Sequence, residues 1–388
     1  MSVHITVIGA GIAGLATAVA LRGAGHDVTV IEQRTDITTG AGISIWPNAL
    51  AALDEIGLGD AVRRAGGSVT GGAIRWRNGR WLRRPSAQRI VDALGEPLVV
   101  VRRSALTDIL HGALPNGAVQ TGLTATALVL TGSSVKVTLS DSQIREADAV
   151  VGADGVNSVV ARMLNGPLLS HYVGYTAWRG IASHRLDPAL AGTTMGNGTE
   201  VGHVPLGPDH TYWFATERAP EGSHAPGGDH AYLATKLASW AEPIPQLIAA
   251  TDPTELLRND LFDRAQPKRW SRGPAVLVGD AAHPMRPHLG QGGCQGLEDA
   301  AILARFVELA PDLPTAFAAF GRFRKQRVRP LVRESATIGR IVNMRPSFLS
   351  GAASRATALI PERAVTSHLA SLAARSAFIL PTAADAAG

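Results

Sequence analysis

The chain holds one cysteine, Cys294, in 388 residues. That leaves no partner for an intramolecular disulfide and too few thiolates for a Cys-rich structural zinc site, and it fits a reduced cytoplasm. No uninterrupted apolar run reaches the roughly 20 residues that a membrane-spanning helix needs. Residues 3–21 superficially resemble a signal-peptide core, but no Lys or Arg precedes them and Gly9, Gly11 and Gly14 interrupt them, so they read as a buried strand and helix. Internal repeats and low-complexity segments are missing as well. The formal charge is +5 and the pI about 9.8, yet the arginines are spread along the chain with no RNA-binding or zinc-finger pattern. Nucleic acid is therefore not the expected partner, and a diffuse positive field equally suits dinucleotide phosphates.

What is present is enough apolar residue, 45% against 18% charged, to fill two domains or one large one. Residues 3–8, 13–22 and 28–31 read as strand, helix and strand, the unit of a parallel, doubly wound sheet. Pro47 opens a helix running to Leu53. Residues 69–97 and 172–270 change to short segments rich in Arg, Trp and Gly that look like antiparallel sheet, including a strand at 211–216 and a Gly/Pro/His loop at 222–229. Between them lie a helix at 104–114 and strands at 124–130, 135–139 and 149–151. A buried strand at 274–278 follows, then a helix through Leu297, Ala300, Ala301 and Ala304, a long charged helix at 315–341, and a helical tail broken by Pro361. In that tail Val365, Leu369, Leu372 and Phe378 serve to cover the core, with a partner subunit or membrane surface as the alternative.

Three motifs carry chemistry. The first is Gly9-Ala-Gly11-Ile-Ala-Gly14 between strand and helix, with Glu32 ending the next strand. The first glycine makes the tight turn, the second lets backbone approach a pyrophosphate at the positive end of the helix, the third permits close packing, and the acid meets ribose hydroxyls. The second is Gly152-Ala-Asp154-Gly155 with Asn157 and Ser158; a plain Asp-Gly turn with a cap explains it equally well. The third runs from Gly279-Asp280 through His283 and Pro287 to Gly290-Gln-Gly292-Gly293 and Glu298-Asp299. It places a carboxylate at the end of a buried strand and a glycine-rich turn at a helix start, and so many glycines are costly unless something approaches closely.

In this order and at these separations, the three motifs resemble the para-hydroxybenzoate hydroxylase family of single-component flavin monooxygenases, over residues 3–340. The resemblance implies an α/β fold with a Rossmann-like FAD-binding domain, an inserted β-sheet substrate domain and C-terminal helices. The corresponding divisions are 1–68, 98–170 and 272–311; 69–97 and 171–271; and 312–388. It implies FAD contacts from Gly9, Gly11, Gly14, Glu32 and Arg34, from Ser44 near the flavin, Arg103 in Arg103-Ser-Ala-Leu106, backbone near Ala125, Asp154 and Asp280. Gly290, Gly292 and Gly293 would lie against the isoalloxazine, with Pro287 bordering the oxygen pocket. There is no second glycine-rich dinucleotide unit, so NADH or NADPH would dock transiently. Gly42-Ile-Ser-Ile-Trp46-Pro-Asn48 is similar to a urate hydroxylase branch, but Glu200 stands where that branch implies a basic substrate contact, which points away from urate. Tyr172 to Gly180 is similar to carotenoid (zeaxanthin) epoxidase relatives.

The resemblance implies a cycle in which NAD(P)H reduces FAD, O2 adds at flavin C4a, and the hydroperoxide transfers one oxygen to a small aromatic, heteroaromatic or polyene substrate. The cofactor carries the hard chemistry, and a dry pocket limits peroxide loss. Candidate residues for the substrate are Tyr212, Arg179 as a carboxylate clamp, Pro287 and His203, with His283 and His288 as further bases; for Tyr212 core packing is an equal alternative. A metal is not expected, and the assembly is a monomer or homodimer. Rival readings are a flavin-dependent reductase of the same fold that saturates alkenes and a non-catalytic flavin-binding protein.

Overall fold

A computed structural model describes residues 2–36, 40–132 and 134–387. Among these, the expected first unit forms: strand His4–Ile8, helix Ile12–Gly23 and strand Asp27–Glu32. The two strands join a six-stranded sheet in the order Ser271–Arg272, Ala275–Leu277, Ala149–Gly152, His4–Ile8, Asp27–Glu32, Val119–Thr121. All but the Ser271–Arg272 pairing are parallel. Their near-continuous burial is what a sheet covered on both faces requires. Register places Ile8 beside Gly152 and Ile31, and Gly152 beside Leu277. The turns after Ile8, Gly152 and Leu277 therefore leave the sheet at one carboxyl edge, where ligands of such sheets bind.

The second large sheet has seven strands, in the order Leu257–Arg264, Ser170–Ala182, His210–Glu217, Thr199–Leu206, Gly192–Met195, Ala73–Trp76, Trp81–Arg83. Alternation divides its residues between two faces. Trp178, Val201 and Trp213 pack against helices Asp229–Leu237 and Ile244–Ala249. Trp213 is fully buried, and its indole N–H is satisfied by Thr251 Oγ1 at 2.8 Å. On the opposite face Tyr212 joins Ala41, Val69, Leu98 and Leu206, with Ile181 and Val204 against them. A small sheet pairs Leu98–Arg102 with Gly42–Ile45 on one side and Gly67–Val69 on the other.

The structure departs from the sequence reading inside the two β-rich blocks. Residues 69–97 contain helix Ala87–Leu94, whose signals were present: Ser86 Oγ accepts from Arg89 N–H, Ile90 and Leu94 share a buried face, and Gly95 ends it at φ +87°. Surrounding Arg, Trp and Gly residues obscured that pattern. Helices Asp229–Leu237 and Ile244–Ala249 were likewise hidden by the loop composition before them. The C-terminal expectation holds, with Leu313–Val342 running through Pro330 and capped by Asp312, then Ser347–Ala356 and Glu362–Ala373. Leu369 and Leu372 pack with Ile90 and Leu94, and Phe378 against the main core.

Candidate active site

At the carboxyl edge of the parallel sheet, Gly9, Gly11, Glu32, Arg34, Ala125, Asp154 and Gly155 line one cleft of about 260 Å3. The three glycines of the first motif do different work there. Gly9 has φ +104°, and a methyl on it would lie 2.5 Å from the Ala153 carbonyl; one on Gly14 would lie 1.9 Å from the Gly9 carbonyl. A methyl on Gly11 would meet nothing within 4 Å. Gly9 and Gly14 are thus required by the protein's own packing, whereas Gly11 opens on the cleft. Glu32 holds the turn: its Oε2 accepts from Ala10 N–H at 2.7 Å and its Oε1 from Arg34 N–H at 2.8 Å. Asp154 accepts from Val159 N–H at 2.7 Å and from the Ser158 hydroxyl, so it caps the next helix while lining the cleft. Burial raises its pKa, opposed by those hydrogen bonds.

Further along the same edge the side chains of Arg103 and Asp280 are exposed, yet burial lowers the Arg103 pKa and raises that of Asp280. Both observations hold when the groups line a deep hollow rather than the outer surface. Each also acts on the other, since the guanidinium opposes the rise at Asp280 and the carboxylate opposes the fall at Arg103. Among the described residues no hydrogen bond reaches the Arg103 guanidinium. The cleft fits FAD: an open backbone approach at Gly11 and an acid, Glu32, at the end of the second strand, with the Arg103 guanidinium further along the same edge. Gly290, at φ +62°, follows the turn Pro287–Leu289 and leads into helix Gly292–Leu309. Ser44 faces this helix through its carbonyl, 3.5 Å from the Cys294 thiol. Burial pushes that thiol to about 12, so Cys294 is not a nucleophile.

Arg179, Ile181 and Tyr212 lie on one face of the seven-stranded sheet, with the Arg179–Phe214 pair two register positions from the Ile181–Tyr212 pair. The Tyr212 ring packs on Gly42, where a methyl would come within 2.5 Å of its Cγ. Burial raises the Tyr212 pKa, while Arg179 and Arg103 act in the other direction. Arg179 Nη1 also donates to Asn259 Oδ1 at 2.8 Å. His203 is not brought to this face. It pairs with Trp213 on the opposite side, bonds Thr194 Oγ1 at 3.1 Å, and is held at about 3 by burial and then by Arg75. Strand alternation from Tyr212 to Trp213 separates the two candidates.

Sequence reasoning missed two polar networks, one beside the Gly279-Asp280 turn and one at the Pro287–Leu289 turn. In the first, Asp299 accepts from Gly279 N–H at 2.7 Å, pairs with His283 at 2.6 Å and receives Arg324 Nε at 2.7 Å. Arg324 also reaches Glu298 at 2.6 Å, which receives Asn48 Nδ2 at 2.6 Å. Burial alone would raise Asp299, but His283 and Arg324 outweigh it and hold the group at about 2. His283 is therefore tied to this network. In the second, Tyr175 Oη lies 2.8 Å from His288 Nε2, and His288 Nδ1 lies 2.9 Å from Glu200 Oε1, which also accepts from the Thr216 hydroxyl. Burial pushes Tyr175 to about 12, so the phenol keeps its proton beside the imidazole. This chain pins the Pro287–Leu289 turn to the large sheet. Nothing in the local sequence marks either network, because the partners are joined only by the fold.

Comparisons with known proteins agree with this geometry. Residues 2–310 match the FAD binding domain family. The chain is 37% identical over 351 residues to the aurachin C monooxygenase/isomerase of Stigmatella aurantiaca, covering 89% of this chain and 91% of that protein. It is 33% identical over 336 residues to the FAD-dependent urate hydroxylase of Klebsiella pneumoniae, covering 84% and 87%. In structure it matches Klebsiella pneumoniae HpxO complexed with FAD and uric acid at a TM-score of 0.88 and 28% identity, covering 95% of this chain and 96% of that one. The chain belongs to the FAD binding domain family and is an FAD-dependent monooxygenase that uses NAD(P)H and O2.

Proposed function

We propose that the enzyme oxygenates a ring substrate held on the face of Tyr212 and Arg179, with FAD held from Gly9 to the Gly290 turn. The observation that carries this reading is that Tyr212 packs on Gly42 and shares one sheet face with Arg179, with the charges of Arg179 and Arg103 acting on its phenol and that of Asp280 on Arg103. Apolar Ile181 and Val204 beside a phenol and a guanidinium suit a planar phenolic or heteroaromatic ring carrying an oxygen anion. A polyene epoxidation, the reading second in order, lacks a use for that guanidinium.

In this reading Gly11 and Gly155 admit the pyrophosphate, Glu32 and Arg34 face the adenosine side with Ala125, and Arg103, Asp154 and Asp280 line the path to the flavin. Ser44, Gly290, Gly292 and Gly293 border the ring system, and Pro287 borders the oxygen pocket. Bound FAD supplies the chemistry that activates O2 for transfer of one atom. The chain's own residues position and shield: Tyr212 orients the ring hydroxyl, Arg179 favours its ionised form, and the Tyr175–His288–Glu200 chain holds the Pro287 turn in place. His203 has no part in the chemistry. The domain division given above fits this arrangement, with the substrate face contributed by residues 171–271. Several names among the relatives agree in kind, including a urate hydroxylase and a 3-amino-4-hydroxybenzoate 2-monooxygenase of Streptomyces cremeus. Glu200 in the Tyr175–His288 network argues for a substrate other than urate.

The test is anaerobic reduction of the flavin by NADH and by NADPH with a panel of phenols, hydroxylated heteroaromatics and polyenes, followed by O2. A ring compound that speeds reduction and emerges with one added oxygen supports the reading. If only polyenes do so, the Tyr212 and Arg179 roles fall.

A further inference from the structure

Beyond the flavin hollow lies a separate cavity of about 450 Å3. Val69, Ile90, Leu94 and Leu98 line one side, and Val365 and Leu369 of helix Glu362–Ala373 the other. Charged groups at its rim are already engaged. Arg83 donates to the carbonyls of Thr357 and Ile360, Arg84 lies 4.6 Å from the centre of the Trp81 ring, and Glu362 pairs with Arg89 at 2.7 Å. Water held there needs polar partners, but the polar side chains of the lining already engage the protein itself, Thr366 through the carbonyls of Glu362 and Arg363, which leaves the aliphatic part of the wall for a guest. Its volume falls within the range of small-molecule pockets, about 300–1,000 Å3. Such a space suits an apolar guest.

Two further observations say where the guest comes from. Trp46 forms part of the cavity wall, packs with the Tyr212 cluster, and lies so near Gly290 that a methyl there would come within 3.0 Å of the indole Nε1. That Nε1 is buried and has no hydrogen-bond partner among the described residues. The cavity thus adjoins the Tyr212 cluster across Trp46, Val69 and Leu98, which belong to both. At its other end the roof, turn Thr357–Leu359 and Ile360, leaves Leu359 85% and Ile360 48% exposed, and the preceding helix exposes Phe348 and Leu349. Apolar surface at the mouth of an apolar cavity gives a hydrophobic chain a path that avoids desolvating charge.

We infer that the cavity holds an apolar alkyl tail of the substrate, whose oxidisable ring lies on the Tyr212 face. The substrate class becomes a ring with a long apolar tail. The ring's placement rests on the function proposed above; the tail's placement rests on the cavity.

Titration calorimetry of the FAD-loaded protein with para-alkylphenols, from methyl to heptyl, tests this, in the wild type and in Leu369→Trp and Val365→Trp, which fill the cavity from one helix. Flavin content and melting temperature report folding, and either folded variant is sufficient. The expected result is affinity that rises about fourfold per added methylene in the wild type, equivalent to about 0.8 kcal/mol each, and a flat series in the variants. A flat wild-type series overturns the inference, as does a slope unchanged in a folded variant, because the tail would then lie elsewhere. NAD(P)H consumption and product analysis on the same series separate the two readings. Tail-dependent binding without oxygenation removes the Tyr212 face as substrate site and leaves the cavity assignment standing; oxygenation with no tail dependence does the reverse.

Discussion

At the Gly9 cleft the groups offered to a ligand are largely main chain, whereas at the Tyr212 face they are side chains drawn from strands far apart in sequence. Gly9 and Gly14 are dictated by contacts of 2.5 and 1.9 Å that a methyl would make with backbone oxygens. On the Tyr212 face, Arg179 and Tyr212 stand on pleated strands whose register alone decides what meets the hollow. On the proposed assignment the cofactor end is fixed by the fold itself, while the substrate end can change residue by residue without disturbing it. That division is how one fold hosts many chemistries.

The comparison breaks most completely at the buried Arg324 network behind the Gly279-Asp280 turn. Arg324→Met leaves Asp299 and Glu298 buried without their cation, and we expect a loss of about 3–5 kcal/mol in denaturant unfolding, with flavin and substrate binding lost together. Next comes the back of the substrate sheet. His203 is neutral when folded, with its pKa at about 3 against 6.5 unfolded. The unfolded state takes up more protons between those values, so this stability is fully present above pH 6.5 and declines as pH falls toward 3. At pH 4 the deficit is roughly 3 kcal/mol, and melting curves of His203→Gln between pH 4 and 7 should lack that component.

Two glycines sharpen the comparison at the cofactor end. Gly14→Ala forces backbone apart and should cost about 1–3 kcal/mol in the apoprotein. Gly11→Ala should leave apoprotein unfolding within about 0.5 kcal/mol while weakening FAD at least tenfold by fluorescence titration. Equal apoprotein losses in the two variants contradict the assignment of Gly11 to the cleft. The smallest effect belongs to the substrate end: Tyr212→Phe should raise KM for a phenolic substrate about tenfold, roughly 1.4 kcal/mol, with FAD affinity unchanged.

These differences also explain what could be read from the chain before its structure. The Gly9 to Glu32 unit is local, its chemistry follows from backbone geometry, and the strands and helix fall where periodicity places them. Asp280 was legible because a buried strand must end before it. His203 and Tyr212 looked equivalent as polar residues in β-rich sequence, and only the register Val204–Tyr212 and His203–Trp213 puts them on opposite faces. Arg324 lies 25 residues from Asp299, and His288 lies 88 from Glu200; no propensity or spacing rule links such pairs. Helix Ala87–Leu94 was readable in principle from Ser86 and Gly95, but its short amphipathic pattern sits among arginines and tryptophans that favour strand.

The most direct test of the account is turnover under oxygen-18 gas with the ring compound that best stimulates NAD(P)H oxidation. The account predicts one labelled oxygen atom per product molecule, with NAD(P)H consumed in equal amount. Substrate saturated at a double bond with no label, or NAD(P)H oxidised with only labelled hydrogen peroxide formed for every compound tried, would contradict it.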